Sequence, residues 1–169
     1  MSRQVVILSG VSGSGKSTYI RNIFRNPFVV SADDFFLQEE GKYNFDPTKL
    51  GAAHASCFRR FINACLDGWL LIIVDNTNTT SEEIAPYVLG AEAFGYAVEI
   101  VTMLERPISH DAPYDNMTYD MLDACARRNT HGVPLNTILK QHERITNRCL
   151  PPWWKHTWQG SAGCLAKLE

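Results

Sequence analysis

Trp69-Leu70-Leu71-Ile72-Ile73-Val74 is the most hydrophobic stretch of the chain, six apolar residues without alternation. A strand with one face in water alternates apolar and polar residues, so a short unbroken run predicts a central parallel strand covered on both faces. Gln4 to Ser9, Phe28 to Ala32 and Ala97 to Met103 supply three more β-branched segments. Between them the pattern takes the helical period. Gly15 to about Arg25 is the first helix, ended by Asn26-Pro27. Asp46 is placed to cap a second, with Pro47 at its first position and Leu50, Ala53, Cys57, Phe61 and Cys65 at helical spacing as far as Gly68. Thr80 or Ser81 caps a third, with Glu82 and Glu83 in its first turn and Gly95 at its close. Four strands alternating with helices predict an α/β fold, an open parallel sheet with helices on both faces.

After Met103 the pattern changes. Leu104 to Asn116 holds two prolines and reads as a loop; Met117 to about Thr130 and Pro134 to Cys149 read as helices joined by His131-Gly132-Val133. A helical pair with a glycine between its members, following such a sheet, predicts a C-terminal helical lid. The segment from Pro151-Pro152-Trp153-Trp154 onward has no clear period, which divides the chain into residues 1–150 and a tryptophan-rich tail, 151–169. Internal repeats and low-complexity segments are absent from the sequence.

Gly10-Val11-Ser12-Gly13-Ser14-Gly15-Lys16-Ser17 directly follows the first strand and fits G-x-x-x-x-G-K-[ST]. The glycines let the backbone coil into a nest of N–H groups for a β-phosphate, Lys16 can bridge the outer phosphates, and the Ser17 hydroxyl can ligand Mg²⁺. The helix from Thr18 faces the phosphates with its positive end. A β-branched strand before the loop and an amphipathic helix after it argue against a chance match, and together they predict the P-loop NTPase fold with a nucleoside triphosphate and Mg²⁺ as cofactors.

Composition bounds the rest. With 169 residues and 45% apolar content the chain can form one domain with a real core. No segment has the length of a membrane span or the plan of a secretory leader, so a cytoplasmic location is expected, and nothing calls for an obligate protein partner. Five cysteines without C-x-x-C spacing indicate buried thiols, not a disulfide framework or a zinc site. Net charge is −2, yet residues 1–126 carry nine Lys/Arg against sixteen Asp/Glu, and residues 127–169 carry seven against two. That bias is either a solvated helix face or a phosphate-binding surface.

Ligands of an open α/β sheet sit outside the carboxyl ends of its strands, where Asp33, Asp34 and Asp75 stand. Hydrolysis needs a residue to orient water, often a Glu after the third-strand acid; here Asn76-Thr77-Asn78 follows Asp75, and the guanine motif N-K-x-D is missing. Transfer of the γ-phosphoryl group to an alcohol is therefore the leading class, with a carboxylate accepting the hydroxyl proton. Asp33 or Asp34 can be that base. Adjacent side chains at a strand end point apart, so one faces the cleft and the other is free to cap the Phe35-Phe36-Leu37 turn. Arg127 has Asp123 four residues earlier, whereas Arg128, with Ala124 and Cys125 at the matching positions, is expected to have no intrahelical partner, which makes Arg128 the better arginine for a transferring phosphoryl group.

These residues resemble the polynucleotide kinase-like P-loop proteins, which include the phage polynucleotide kinase domain and its eukaryotic and phage relatives. The resemblance runs through Gly10-to-Ser17, Ser31-Ala32-Asp33-Asp34, Tyr43-Asn44-Phe45-Asp46-Pro47 with Ala53-His54, Val74-Asp75-Asn76-Thr77-Asn78 and Ala126-Arg127-Arg128-Asn129-Thr130-His131-Gly132-Val133-Pro134, most of residues 4–145. It implies ATP as the donor, Asp33 as the general base, Asp75 at the metal and acceptor site, and Arg128 as the lid arginine. The acceptor it implies is a hydroxyl on a polynucleotide, DNA before RNA. Phage 5′-end kinases carry an arginine three residues beyond the catalytic aspartate, where this chain has Phe36. Related phage kinases instead phosphorylate the hydroxymethyl group of 5-hydroxymethyluracil in DNA, and Phe35, Phe36, Tyr43 and Phe45 offer rings that either stack a base or pack the core. The resemblance would place a phage-encoded chain in the host cytoplasm. A small-molecule kinase for a nucleoside, sugar or antibiotic is the alternative, and a nucleotide-dependent interaction module using Trp153, Trp154 and Trp158 is the third.

Overall fold

The structure, a computed structural model, describes residues 2–37, 43–103 and 116–159. Five strands, β1 (Gln4–Ser9), β2 (Phe28–Val30), β3 (Leu71–Asp75), β4 (Ala97–Thr102) and β5 (His156–Trp158), form one sheet in the order β2-β3-β1-β4-β5, and every pairing is parallel. In β1, Val6 lies opposite Ile73 on one side and Glu99 on the other. Because β1 pairs with β3 and β4, the loop after β1 leaves the sheet at the point where strand order reverses, the place where such sheets bind ligands.

Alternate residues of the central strands go to opposite faces. Val5, Ile7, Ile72, Val74 and Ile100 pack with α2 (Leu50–Leu66) and α3 (Ser81–Ala93) through Cys57, Phe61, Ile84 and Val88. Val6, Leu8, Ile73 and Val101 pack with Ile20 of α1 (Lys16–Ile23). The hydrophobic run of β3 is thus a central strand between two helical layers. The boundaries read from sequence hold closely. Asp46 accepts from Thr48 N as a cap, although the turn it opens, Pro47–Lys49, is 3₁₀ before α2 begins. Thr80 is the cap of α3, in a reciprocal capping box with Glu83.

A third cluster lies at the loop end of the sheet. Leu122 and Cys125 of α4 (Asn116–Arg128) and Ile138 and Ile145 of α5 (Leu135–Asn147) close around Val11, with Trp158 packed against them. This is the predicted helical pair. The loop expected before it falls on residues 104–115, outside the described ones.

The segment after Pro151 differs from the sequence reading, which found no element there. His156–Trp158 is β5, paired with Ile100–Thr102. Lys155 Nζ and Thr157 Oγ1 donate to the two carboxylate oxygens of Glu99 at 2.6 and 2.9 Å, which fixes the register of a strand too short to show a period. Trp154 packs on the main core, whereas Trp153 is 78% exposed. Cys57, Cys65 and Cys125 are buried free thiols, as expected; Cys149 is exposed, and Cys164 lies outside the described residues.

Candidate functional site

The loop Gly10–Ser17 is held from below and from one side. Gly10 N donates to Thr77 O at 2.9 Å, and Ser14 N closes a turn on Val11 O at 3.1 Å. Gly15 caps α1 in the left-handed conformation, φ +92, with no side-chain cap and no acid in the first turn. The first amides of α1 are thus left for an anion. Ser14 Oγ is buried without a hydrogen-bond partner among the described residues, an orphan hydroxyl that fits a phosphate oxygen. Lys16 Nζ donates to the Gly10 and Val11 carbonyls, both at 3.0 Å. Burial pushes the Lys16 pKa down, and the charges of Asp75 and Asp33 oppose it. Val11 is fully buried in the third cluster, so only its backbone could face a ligand, while Thr18 Oγ1 accepts from Arg21 at 3.3 Å.

The lid leans on this loop. A Cβ at Gly13, where φ is +78, would stand 2.1 Å from the carbonyl oxygen of Cys125 in α4. Ser12 N donates to Gln141 Oε1 of α5 at 2.9 Å. Gly13 therefore answers to the lid as well as to the turn.

Ser17 Oγ donates to Asp75 Oδ2 at 3.2 Å. Adjacent oxygens of an octahedral Mg²⁺ shell stand about 3 Å apart, so this hydroxyl and carboxylate fit two of its positions, with phosphate and water oxygens for the others. Burial pushes the Asp75 carboxyl up, Lys16 and Ser17 pull it back, and Asp33 and Asp34 add to the rise. A bound cation would favour the ionised form.

The asparagines after Asp75 align the strand ends, a role not read from the sequence. Asn76 Oδ1 accepts from Ala32 N at 2.8 Å, fixing the backbone one residue before Asp33, and its Nδ2 faces Cys57 Sγ and Tyr87 OH. Asn78, at φ +42, donates to Leu8 O at 2.7 Å. Arg148, counted from sequence only as part of a basic segment, donates to Ser9 Oγ, Asn78 O and Thr102 Oγ1 at 2.6 to 2.7 Å. Burial brings its pKa down to about 10. It is a brace across the ends of β1 and β4.

Asp33 and Asp34 take different partners, but not as neighbours at a strand end: β2 stops at Val30, and both stand in the 3₁₀ turn Asp33–Phe36. Asp34 pairs with Arg60 of α2 at 2.5 Å and among the described residues caps no turn, which corrects the expectation for the second aspartate. Asp33 is about half exposed, within the electrostatic reach of Lys16 and Asp75, and accepts from Tyr43 OH at 3.0 Å. Of the four rings, Phe36 is core, 4% exposed, whereas Phe35 and Phe45 are exposed at 42% and 49%. Arg127 pairs with Asp123, as its spacing predicts. Arg128 does have an intrahelical contact: its Nη2 lies 3.4 Å from Cys125 Sγ, a weak acceptor that leaves most of the exposed guanidinium's donors uncommitted. With Asp120, Asp123, Ala124 and Arg127 it lines an open cavity of about 420 Å³ along α4.

Residues 5–107 match the AAA domain family. The chain belongs to that family. It is 34% identical over 142 residues to human NEDD4-binding protein 2, covering 82% of this chain and 7% of that protein, so it spans a small part of this relative's length. Among solved structures, a chain of the Pnkp1/Rnl/Hen1 RNA repair complex superposes with TM-score 0.61 at 21% identity, covering 85% of this chain and 44% of that one. A sugar kinase from Janibacter sp. HTCC2649 gives TM-score 0.57 at 19% identity, over 96% and 87%. At such identities the likeness is one of fold, the α/β fold of the P-loop NTPases. Among the described residues no helix is long and apolar enough to cross a membrane.

Proposed function

We propose that this AAA-family domain is an ATP- and Mg²⁺-dependent phosphotransferase that moves the γ-phosphoryl group to a hydroxyl of a polynucleotide, DNA before RNA. The observation that carries it is the position of Asp33, within electrostatic reach of the loop lysine and Asp75 while its carboxylate stays open to solvent. In this reading Gly10 to Thr18 hold ATP, Ser17 and Asp75 hold Mg²⁺, Asp33 takes the hydroxyl proton, and Arg128 neutralises charge on the transferring group. The cation's part is to offset charge on the β- and γ-phosphates. Phe35, Tyr43 and Phe45 favour an acceptor with an aromatic face, and the absence of an arginine at Phe36 favours a base hydroxymethyl group over a 5′ end. A phage DNA-modifying enzyme is the kind of protein this describes.

Incubation with Mg²⁺, γ-labelled ATP and three duplexes tests it: one with free 5′-hydroxyls, one with blocked ends, one blocked but containing internal 5-hydroxymethyluracil. Label on the third alone supports the base-directed reading, and label on the first identifies a 5′-end kinase. A single-stranded RNA with a free 5′-hydroxyl tests the order of DNA and RNA.

The second reading, a small-molecule kinase, has a specific observation in its favour: the net charge is −2, and a sugar kinase superposes over nearly the whole chain. Silence on all nucleic acids, with label on a sugar or nucleoside, would establish it. A steep fall of DNA affinity with rising salt would argue the other way, because phosphate contacts release counterions.

A further inference from the structure

One side chain closes the turn between α4 and α5. Asn129 Oδ1 accepts from Val133 N at 2.7 Å, and Asn129 Nδ2 donates to Val133 O at 3.1 Å and Ala126 O at 2.5 Å. Gly132, at φ +66, completes the reversal. His131 is thereby carried at the tip of the lid. Its ring meets that of Tyr43, with centroids 4.3 Å apart, and its Nε2 stands 3.6 Å from Asp33 Oδ2. Three separate segments therefore meet at one carboxylate: the 3₁₀ turn that bears Asp33, the stretch that bears Tyr43, and the lid tip.

We infer that Tyr43 and His131 are positioning residues for Asp33, so that seating the lid and orienting the base are a single event. The inference rests on Asp33 being the base, as proposed above. Asp33 is 52% exposed in its side chain, so packing alone does not hold its carboxylate in one rotamer. Tyr43 does, through a 3.0 Å hydrogen bond to Oδ1. Burial first, and then the charge of Asp33, push the Tyr43 phenol pKa well up, which keeps it a donor. At 3.6 Å His131 lies beyond hydrogen-bond distance from Oδ2, and among the described residues that oxygen accepts no hydrogen bond, which leaves it open to the acceptor hydroxyl. What His131 does is press on the Tyr43 ring from the lid. An exposed base that drifts by about 1 Å loses on the order of 10²-fold in rate, which is the scale of effect a positioning pair can hold.

The test is transfer kinetics with γ-labelled ATP and whichever duplex accepts label, together with amide hydrogen exchange on the protein without substrate. Tyr43→Phe and His131→Ala are each expected to lower kcat about tenfold with KM for ATP unchanged. The double variant should be no slower than the slower single by more than about twofold, since both act through one carboxylate. His131→Phe, which keeps a ring against Tyr43, should recover most of the loss. Tyr43→Ala should speed exchange at the amides of residues 129–133, a readout that needs no acceptor. Both singles within about twofold of the parent while Asp33→Asn is inactive would overturn the inference and leave the proposed base standing. Multiplying effects in the double variant, or unchanged exchange at 129–133, would also overturn it. Full transfer by Asp33→Asn would remove the base itself, and the inference with it.

Discussion

A methyl group added at Gly13 would meet the Cys125 carbonyl at 2.1 Å, and the backbone there has φ +78. Neither the loop nor the last turn of α4 can yield without moving the other. Gly13→Ala is expected to cost about 2 kcal/mol or more in chemical denaturation. Gly51, near the start of α2, has nothing within 4 Å of a would-be Cβ. There Ala should instead add about 0.5 kcal/mol, and equal effects at the two glycines would refute the lid contact. Asp75 gives a second contrast. A carboxyl whose folded pKa is raised takes stability away at neutral pH and returns it as pH falls through the folded value. Asp75→Asn should therefore raise the thermal midpoint of the ligand-free protein at neutral pH by about 3 °C, while Mg²⁺-dependent transfer is lost. The gain should shrink on acidification, and a midpoint that falls instead would mean that Lys16 depends on Asp75 more than burial penalises it. The phosphate-loop motif and the place of Asp75 at the end of β3 were legible in the sequence because each is local, whereas Asp33, expected at a strand end, stands in the 3₁₀ turn after β2. Gln141 and Arg148 were not legible, since their partners Ser12 and Ser9 lie 129 and 139 residues away.

At the scale of elements, Asn76 is where β2, β3, α2 and α3 are tied together. Its carboxamide takes the Ala32 amide at the end of β2 and faces Cys57 and Tyr87 in the helices behind. Asn76→Ala leaves the buried Ala32 N–H without its partner, an expected loss of about 1–3 kcal/mol in urea denaturation. Because Ala32 precedes Asp33, kcat should fall while the affinity for ATP, set by the loop after β1, holds. Equal losses in both would mean that Asn76 supports the loop rather than the base. Strands and helices were readable to within a few residues because their signals are periods and caps, as the central β3 and the Thr80–Glu83 capping box illustrate. β5 was not, because three residues carry no period and their pairing depends on Glu99 in a distant strand. The fate of Asp34 was hidden for the same reason: Arg60, which draws it away from a capping role, reaches it from α2.

For the molecule as a whole, β5 joins the far edge of the sheet to the lid. Trp158 packs against the cluster that Val11, Leu122, Cys125, Ile138 and Ile145 form, so the sheet edge, the phosphate loop and both lid helices share one apolar contact surface. Trp153, five residues earlier, stands 78% exposed. From the sequence these two tryptophans were indistinguishable, both part of a tail without a period. The structure separates them, and a matched pair of substitutions tests the separation. Trp158→Ala should lower stability by about 2 kcal/mol, since a half-buried ring leaves a space that the lid helices can only partly close. Loosening a cluster that includes Val11 should also weaken ATP binding about fivefold, equivalent to roughly 1 kcal/mol. Trp153→Ala should change stability by less than about 0.5 kcal/mol and leave ATP binding alone. Calorimetric ATP titrations and denaturation curves on the two variants decide it. If Trp158→Ala loses stability but binds ATP normally, the third cluster is packing without influence on the loop. If both quantities fall together, the edge strand is part of the nucleotide site's support even though it contributes no group to the chemistry.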